Sequence, residues 1–201
     1  SAPIGQKKPM AFIEVSVGEA RQAIDLDTIT FTPGMPDSAA IQPEEISSQV
    51  GINFQVNSDL SKAPTAQFVI DETPFDVRHI SQQVPAMSGA QWTLTSNMNY
   101  FHPFHIHVNP FQVKNMVPGF RSPPAFVEAT KSTALEPQNM WRDTVFIPPW
   151  GSTIIWQRFG ITLSNAWEGK TVFHCHFLDH EDQGMMAAFL IGDPKPNGPL
   201  S

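Results

Sequence analysis

The chain has 201 residues, of which 41% are hydrophobic and only 15% are charged. This size fits one domain with a sizeable core plus some extra chain, and excludes a disulfide-stapled miniprotein or a large multidomain assembly. A net charge of −7, from 12 basic and 19 acidic residues, argues against a nucleic-acid surface, which needs a basic stripe.

Nineteen prolines disfavour long helices, so a mostly β chain is expected. Period-two alternation predicts the first strands at Ala11–Val17 and Thr28–Thr32. A turn-rich and then acidic stretch runs from Pro33 to about Gln49, and it is the best candidate for a linker between domains.

From Gly51 onward, short apolar segments alternate with turn residues, and one stretch, Ala125–Leu135, is expected to form a short helix or an irregular loop. Regular spacing of this kind is typical of a Greek-key sandwich or barrel. The eight predicted strands are Ile52–Val56, Gln67–Asp71, Gln91–Thr95, Phe104–Val113, Thr144–Ile147, Thr153–Phe159, Thr171–Phe177 and Ala187–Ile191.

Six of the seven histidines and the only cysteine lie in two short clusters. The first cluster holds His102, His105 and His107, and the second holds His174, Cys175, His176 and His180, followed by Met185. Side chains two residues apart share one face of a strand, and neighbours lie on opposite faces. Strand parity therefore predicts two separate sets of ligands.

One face would carry four imidazoles, from His105, His107, His174 and His176. The opposite face would carry Cys175, and His102 has the parity to join it, although Pro103 makes that assignment approximate. With His180 and Met185 folding back over this face, the donors are two imidazoles, a thiolate and a thioether. This ligand set is typical of a blue-copper electron-transfer site, whereas four imidazoles suit copper that binds an outside molecule.

Simpler interpretations apply to some of these residues. His79 is expected to be an ordinary surface or core histidine, Met186 to be a packing residue, and Met185 could be core as well. A zinc site is the main alternative interpretation of Cys175, because zinc accepts the same donors. Zinc at Cys175 would not explain the paired histidines or Met185. A nucleophilic Cys175 lacks a visible third catalytic group.

The two clusters resemble the C-terminal cupredoxin domain of the multicopper oxidases, the laccase group. The similarity extends over roughly residues 68–190 and includes Phe68–Asp71, Phe75–Asp76 and Trp141–Val145. It implies that residues 46–201 form a cupredoxin domain, an all-β Greek-key sandwich or barrel. Residues 1–45 resemble the end of a preceding domain together with the linker between domains.

Carried over position by position, the resemblance assigns each copper ligand. The type 1 ligands are His102, Cys175, His180 and Met185, the type 2 ligand is His105, and the type 3 ligands are His107, His174 and His176. It implies one-electron oxidation of a small reducing substrate, with electrons passing through the His-Cys-His sequence to a trinuclear site where O2 becomes water. Glu181 resembles the acid that delivers protons, although a solvated loop carboxylate is the simpler interpretation.

The resemblance also shows a departure, because the family's trinuclear site uses eight histidines and this chain supplies four. The other four are expected from N-terminal domains or an N-terminal chain of the same oxidase, so the chain is expected to be the C-terminal part of a longer oxidase. Copper shared across that interface would favour the assembled state.

Two alternative functions explain less of the sequence. An electron carrier with only a type 1 site leaves the four-histidine face unexplained, and a subunit similar to copper nitrite reductases does not explain the doubled His-x-His pattern. Aromatic or phenolic donors are the preferred substrates, because the eight methionines form no methionine-rich segment. The longest apolar run, around Met185 to Ile191, is too short to cross a bilayer. Copper oxidases generally act outside the cytoplasm, so the resemblance implies a location in the periplasm or outside the cell.

Overall fold

Two β-sheets form most of the regular structure in the computed structural model, which describes residues 40–59, 61, 68–130, 141–160 and 167–193. The strands are β1 (Ile46–Val56), β2 (Phe68–Ile70), β3 (Ile80–Val84), β4 (Gly89–Ser96), β5 (His102–Ile106), β6 (Phe111–Val117), β7 (Trp141–Arg142), β8 (Thr144–Ile147), β9 (Ser152–Arg158), β10 (Gly169–Cys175) and β11 (Met186–Ile191). The helices in this part of the chain are α1 (Pro124–Thr130) and α2 (Leu178–Asp182), and a 3-10 turn spans Pro43–Glu45.

The six-stranded sheet has the order β2-β1-β4-β9-β6-β7, and the five-stranded sheet has the order β3-β11-β10-β5-β8. Strand β1 runs parallel to β4 and β3 runs parallel to β11, whereas the other pairs are antiparallel. Within the five-stranded sheet, β10 lies between β5 and β11, so the strands that carry the two histidine clusters are direct neighbours.

The core lies between the two sheets and is rich in aromatic side chains. Trp92 of β4 contacts Phe173 of β10 and Phe189 of β11 edge to face, with ring centroids 5.6 and 5.4 Å apart. All three side chains are fully buried, and burial of each apolar side chain of this size contributes about 1.5–3 kcal/mol. This packing fixes β10 against the opposite sheet, and with it the second histidine cluster.

The prediction of an all-β sandwich is confirmed, and most predicted strands match observed ones to within a few residues. The prediction of a single strand over Phe104–Val113 is wrong, because β5 ends at Ile106 and β6 begins at Phe111 in the other sheet. Between them Val108 has a φ of +74°, and Pro110 has no backbone N–H to donate to a ladder. The apolar residues continue on both sides, but their alternation shifts by one position at Asn109-Pro110, a turn signal that the single-strand prediction overlooked.

Three elements escaped prediction. Strand β3 and the two-residue β7 were not predicted, and the strand predicted to reach Phe177 ends at Cys175 and turns into α2. The predicted short helix is present as α1, and residues 131–140 lie outside the described residues. The strands predicted at 11–17 and 28–32, and residues 33–39 of the predicted linker, also lie outside them. The end of the predicted linker is ordered, because Pro43–Glu45 form a 3-10 turn and β1 already begins at Ile46.

The described chain before β1 packs on the six-stranded sheet. Ile41 is buried, and its backbone N–H donates to the Gln112 side chain at 2.9 Å. Glu45 accepts two hydrogen bonds from the guanidinium of Arg158, at 2.6 and 2.7 Å. Residues just before the expected boundary at 45/46 therefore already contact strands β6 and β9.

Candidate metal centres

Strand register divides the two histidine clusters between the faces of the five-stranded sheet. His174 of β10 lies directly opposite His105 of β5, and Cys175 lies opposite Phe104. Burial alternates along β5, with His102, Phe104 and Ile106 facing the core. Pro103 occupies a regular position in the ladder, opposite Phe146. The division into two sets of side chains expected from parity is present in the structure.

The core-facing set forms a compact and buried group. His102, Cys175 and His180 place their ligand atoms within 4.8 Å of one another. The Sγ atom of Cys175 lies 3.6 Å from Nδ1 of His102 and 3.6 Å from Nδ1 of His180. His102 and Cys175 are inaccessible to solvent and His180 is 7% exposed, so this pocket excludes bulk water.

Helix α2 and the turn that follows it bring His180 and Met185 back to Cys175. Gly184 adopts a φ of +113°, a conformation that favours glycine, and so lets the chain reverse. The backbone N–H of Cys175 donates to the carbonyl of Met185, and the N–H of Met185 donates to the carbonyl of His180, both at 3.0 Å. The side chain of Met185 is fully buried.

Burial also sets the protonation states in this pocket. It lowers the pKa of His102 to about 3, assisted by the charge on His180, and it lowers the pKa of His180 as well. Burial raises the pKa of the Cys175 thiol to about 12, although the backbone N–H of Phe177 favours the thiolate. At neutral pH the imidazoles keep free lone pairs, and metal binding must displace the thiol proton.

The donors of this pocket fit a copper ion. Two imidazole nitrogens, one cysteine sulfur and a buried methionine form a soft set that copper prefers over magnesium or calcium. The two sulfur-to-nitrogen distances of 3.6 Å can be bridged by metal bonds of about 2.3 Å to sulfur and about 2.0 Å to nitrogen.

The outward set is more open. His105, His107 and His174 place ligand atoms within 4.8 Å of one another, and Nε2 of His107 lies 3.4 Å from Nε2 of His174. The His176 ring is 5.3 Å from the His105 ring and 5.5 Å from the His174 ring, so it borders the group. His107 and His176 are exposed, whereas His174 is buried.

Oxygen acceptors fix the ring orientation of His105. Its Nδ1–H donates to the backbone carbonyl of Asp143 and to Oγ1 of Thr144, both at 3.0 Å. The Thr144 hydroxyl in turn donates to the Asp143 carboxylate at 3.1 Å. These bonds leave Nε2 of His105 available for a metal. Histidines that bind metals usually have their other ring nitrogen held by an oxygen acceptor in this way.

Glu181 lies beside the outward set. Its Oε2 is 3.2 Å from Nδ1 of His174, which also lies 3.1 Å from the carbonyl of Cys175. The carboxylate is partly exposed, so it contacts both a histidine of the cluster and solvent. His79 belongs to neither group and lines a surface cavity with Phe75 and Met186.

Some residues around the two groups were not predicted from sequence. Phe68 and Phe177 stack on the His180 ring, and no periodicity pointed to either contact. Asp143 and Thr144 belong to a segment that carried the resemblance, but their positions in the sequence did not indicate their bonds to His105.

A two-sheet sandwich with a buried His-Cys-His group is a metal-binding domain of the cupredoxin type. The sequence model described as multicopper oxidase matches residues 45–195. The chain belongs to the multicopper oxidase family, and this membership implies copper as the metal.

Individual relatives agree with this assignment. The chain is 32% identical over 101 residues to an iron transport multicopper oxidase of Saccharomyces cerevisiae, covering 44% of this chain and 15% of the relative. It is 30% identical over 104 residues to a laccase of Haloferax volcanii, covering 51% of this chain and 15% of the relative. The matched part of the chain thus spans about 15% of the length of these oxidoreductases.

The fold is shared with solved multicopper oxidases. A metallo-oxidase of this family from Campylobacter jejuni superposes with a TM-score of 0.58 at 20% identity, over 76% of this chain and 31% of the other. No helix in the described part of this chain is long and apolar enough to cross a membrane.

Proposed function

We propose that this chain is the C-terminal part of a laccase-like multicopper oxidase. The observation that supports this most strongly is that one strand, β10, carries both candidate sites. Cys175 lies in the buried group, and His174 lies in the three-histidine group on the opposite face. Bound copper would accept single electrons from a reducing substrate at the inner site and reduce O2 to water at the outer one.

The inner site would be held by His102, Cys175 and His180, with Met185 as the distant fourth ligand. The ligand residues are largely closed to solvent, which suits a site that exchanges electrons without binding substrate directly. Zinc accepts nitrogen and sulfur donors as well, but the buried thioether adds a donor that favours copper.

Electrons would enter near His180, where the surface is apolar. Tyr100, Phe177 and Leu178 are each more than half exposed, and the rings of Tyr100 and Phe177 lie 6.4 and 5.1 Å from the His180 ring. Exposed apolar surface of this kind favours contact with aromatic or phenolic donors.

Cys175 would connect the two sites. Its side chain enters the inner pocket, while the adjacent residues His174 and His176 belong to the outer face. The covalent path from the Cys175 sulfur to the His174 ring therefore crosses a single peptide bond within β10.

The outer site would be completed by N-terminal domains or an N-terminal chain. His105 would hold the type 2 copper, and His107, His174 and His176 would hold the type 3 pair. Two of these four side chains are exposed, which leaves room for four further histidines from the missing part. The much greater length of the relatives supports this completion. A location outside the cytoplasm, in the periplasm or the medium, is proposed only because copper oxidases generally act there.

Glu181 would deliver protons during oxygen reduction. Its carboxylate is partly exposed and reaches Nδ1 of His174, so it can exchange protons with solvent beside the outer histidines. A carboxylate placed in this way is suited to general acid catalysis.

Oxygen uptake by the complete oxidase, supplied with a phenol, tests the proposal. We expect four phenol molecules to lose one electron each for every O2 consumed, and no reduction of nitrite. Nitrite reduction without oxygen uptake would favour the nitrite-reductase alternative, and a blue protein that consumes no oxygen would favour the electron carrier.

A further inference from the structure

Two phenylalanine rings from different parts of the chain stack on His180. The Phe68 ring lies 4.0 Å from the His180 ring, with 26° between the planes. The Phe177 ring lies 5.1 Å away, with 27° between the planes. Tyr100 adds an edge contact at 6.4 Å. Aromatic contacts therefore cover most of His180, which is only 7% exposed.

Phe68 and His180 belong to separate structural elements. Phe68 begins β2, the edge strand of the six-stranded sheet, whereas His180 lies in α2, which follows β10 of the other sheet. The stacking contact therefore links an edge strand of one sheet to the helix that follows a strand of the other. Phe177 differs, because it directly precedes α2 and is 56% exposed.

Stacking at 4.0 Å restricts the tilt of the imidazole. Rotation of the ring would move Nδ1 away from the Sγ of Cys175, which now lies 3.6 Å from it. The phenyl ring also occupies space that water would otherwise enter next to a ligand. Water close to the metal favours the oxidised form, because Cu(II) carries more charge than Cu(I) and gains more from hydration.

We infer that Phe68 is a positioning residue that orients His180, keeps water from the inner copper and thereby raises its reduction potential. The inference rests on the proposed function, because it assumes copper at the inner site. It assigns to β2, outside the two histidine clusters, a part in deciding which donors the oxidase can oxidise.

The test uses the complete copper-loaded protein and the variants Phe68→Ala, Phe68→Leu and Phe68→Tyr. Phe75→Ala is the matched control, since Phe75 follows β2 closely, is partly exposed and lines the cavity next to His79. A redox titration followed at the visible absorption band gives the potential. Proton relaxation of water in the Cu(II) state gives the access of water to the metal.

Phe68→Ala should lower the equilibrium constant for copper reduction about tenfold, which is about 59 mV for one electron. It should also increase water relaxation. Phe68→Tyr keeps the ring and should remain within twofold of the wild type, and Phe68→Leu should fall between the two. If Phe68→Ala does not fold, the comparison of the leucine and tyrosine variants decides.

Two results would overturn the inference alone: a blue wild type whose Phe68 variants keep the same potential and water relaxation, or a Phe75→Ala shift as large as that of Phe68→Ala. A copper-loaded wild type without blue absorption would instead contradict the proposed function, and this inference with it.

Discussion

The inner and outer faces of β10 differ in how closed to solvent their candidate sites are. On the inner face, His102, Cys175 and His180 converge with little solvent access, and the donors come from this chain. On the outer face, His105, His107 and His174 converge near the surface, with His176 at the border. One strand thus supports a closed site and an open one.

This difference shows how burial separates two roles. A closed pocket with fixed donors limits rearrangement when an electron arrives, and this suits electron transfer. An open face can bind an outside molecule or a partner surface. The alternation of side chains along β10 therefore both builds the core and separates the two candidate sites.

Replacement of Cys175 should have the largest effect, and it should disturb the inner site but not the outer one. Cys175→Ser removes the only thiolate donor, so the intense visible absorption should disappear, whereas the outer histidines keep their positions. Absorption spectra and metal analysis of the purified variant check this. A variant that is still blue would contradict the assignment of the inner site.

Replacement of Glu181 should affect only the outer face. Glu181→Gln keeps the shape but removes the exchangeable proton, so oxygen reduction should slow by about 100-fold, while the blue absorption stays. Oxygen uptake under saturating donor measures the rate. Asp182→Asn is the control, because Asp182 is an exposed neighbour in α2, and equal rates for both variants and the wild type would exclude the proton-delivery role.

The hydroxyl of Thr144 offers a smaller test of the same face. Thr144→Val removes an acceptor of the His105 Nδ1–H without changing side-chain size, so copper affinity at the outer site should fall about tenfold. Competition with a chelator in the complete oxidase measures this affinity. Thr144→Ser should restore it, and a serine variant as weak as the valine variant would show that the hydroxyl is not responsible.

Disruption of the ion pair between Glu45 and Arg158 should lower the stability of the fold and leave both candidate metal sites unchanged. Arg158 lowers the pKa of the Glu45 carboxyl below its ordinary value of 4.5, so the pair stabilises the folded state above pH 4.5 and less as the pH falls through the lowered pKa. Glu45→Gln should lower the free energy of unfolding by about 1–2 kcal/mol at pH 7.

Urea unfolding at pH 7 and at pH 3 measures this loss. The difference between Glu45→Gln and the wild type should be smaller at pH 3 than at pH 7, because the stability that comes from the lowered pKa is lost progressively below pH 4.5. Glu44→Gln is the control, since Glu44 is exposed on the same turn. A pH-independent difference would mean that the charge of Glu45 does not stabilise the fold.

Much of the fold and the division of the clusters could be predicted from local patterns. Alternation along β5 and β10 placed Cys175 and His174 on opposite faces, because a strand has a fixed period of two. The crossing between Ile106 and Phe111 was missed because apolar residues continue on both sides of it, although the shifted alternation at Asn109-Pro110 marks a turn there. That the chain changes sheets at this turn is shown only by the structure.

The environment of the site depended on contacts that are distant in sequence. Phe68 is more than 100 positions from His180, and Thr144 is 39 positions from His105. Such contacts arise from how sheets and strands pack, and no periodicity of a single segment records them. Ligand types are therefore readable from the sequence, whereas the groups that orient the ligands require the structure.

The most direct test of the account is a count of copper in the 201-residue chain alone and in the complete oxidase, combined with visible absorption. We predict one tightly held copper with blue absorption in the chain alone and about four coppers when the N-terminal part is present. A chain that holds no blue copper, or one that holds all four without a partner, would contradict a complete inner site beside an incomplete outer site.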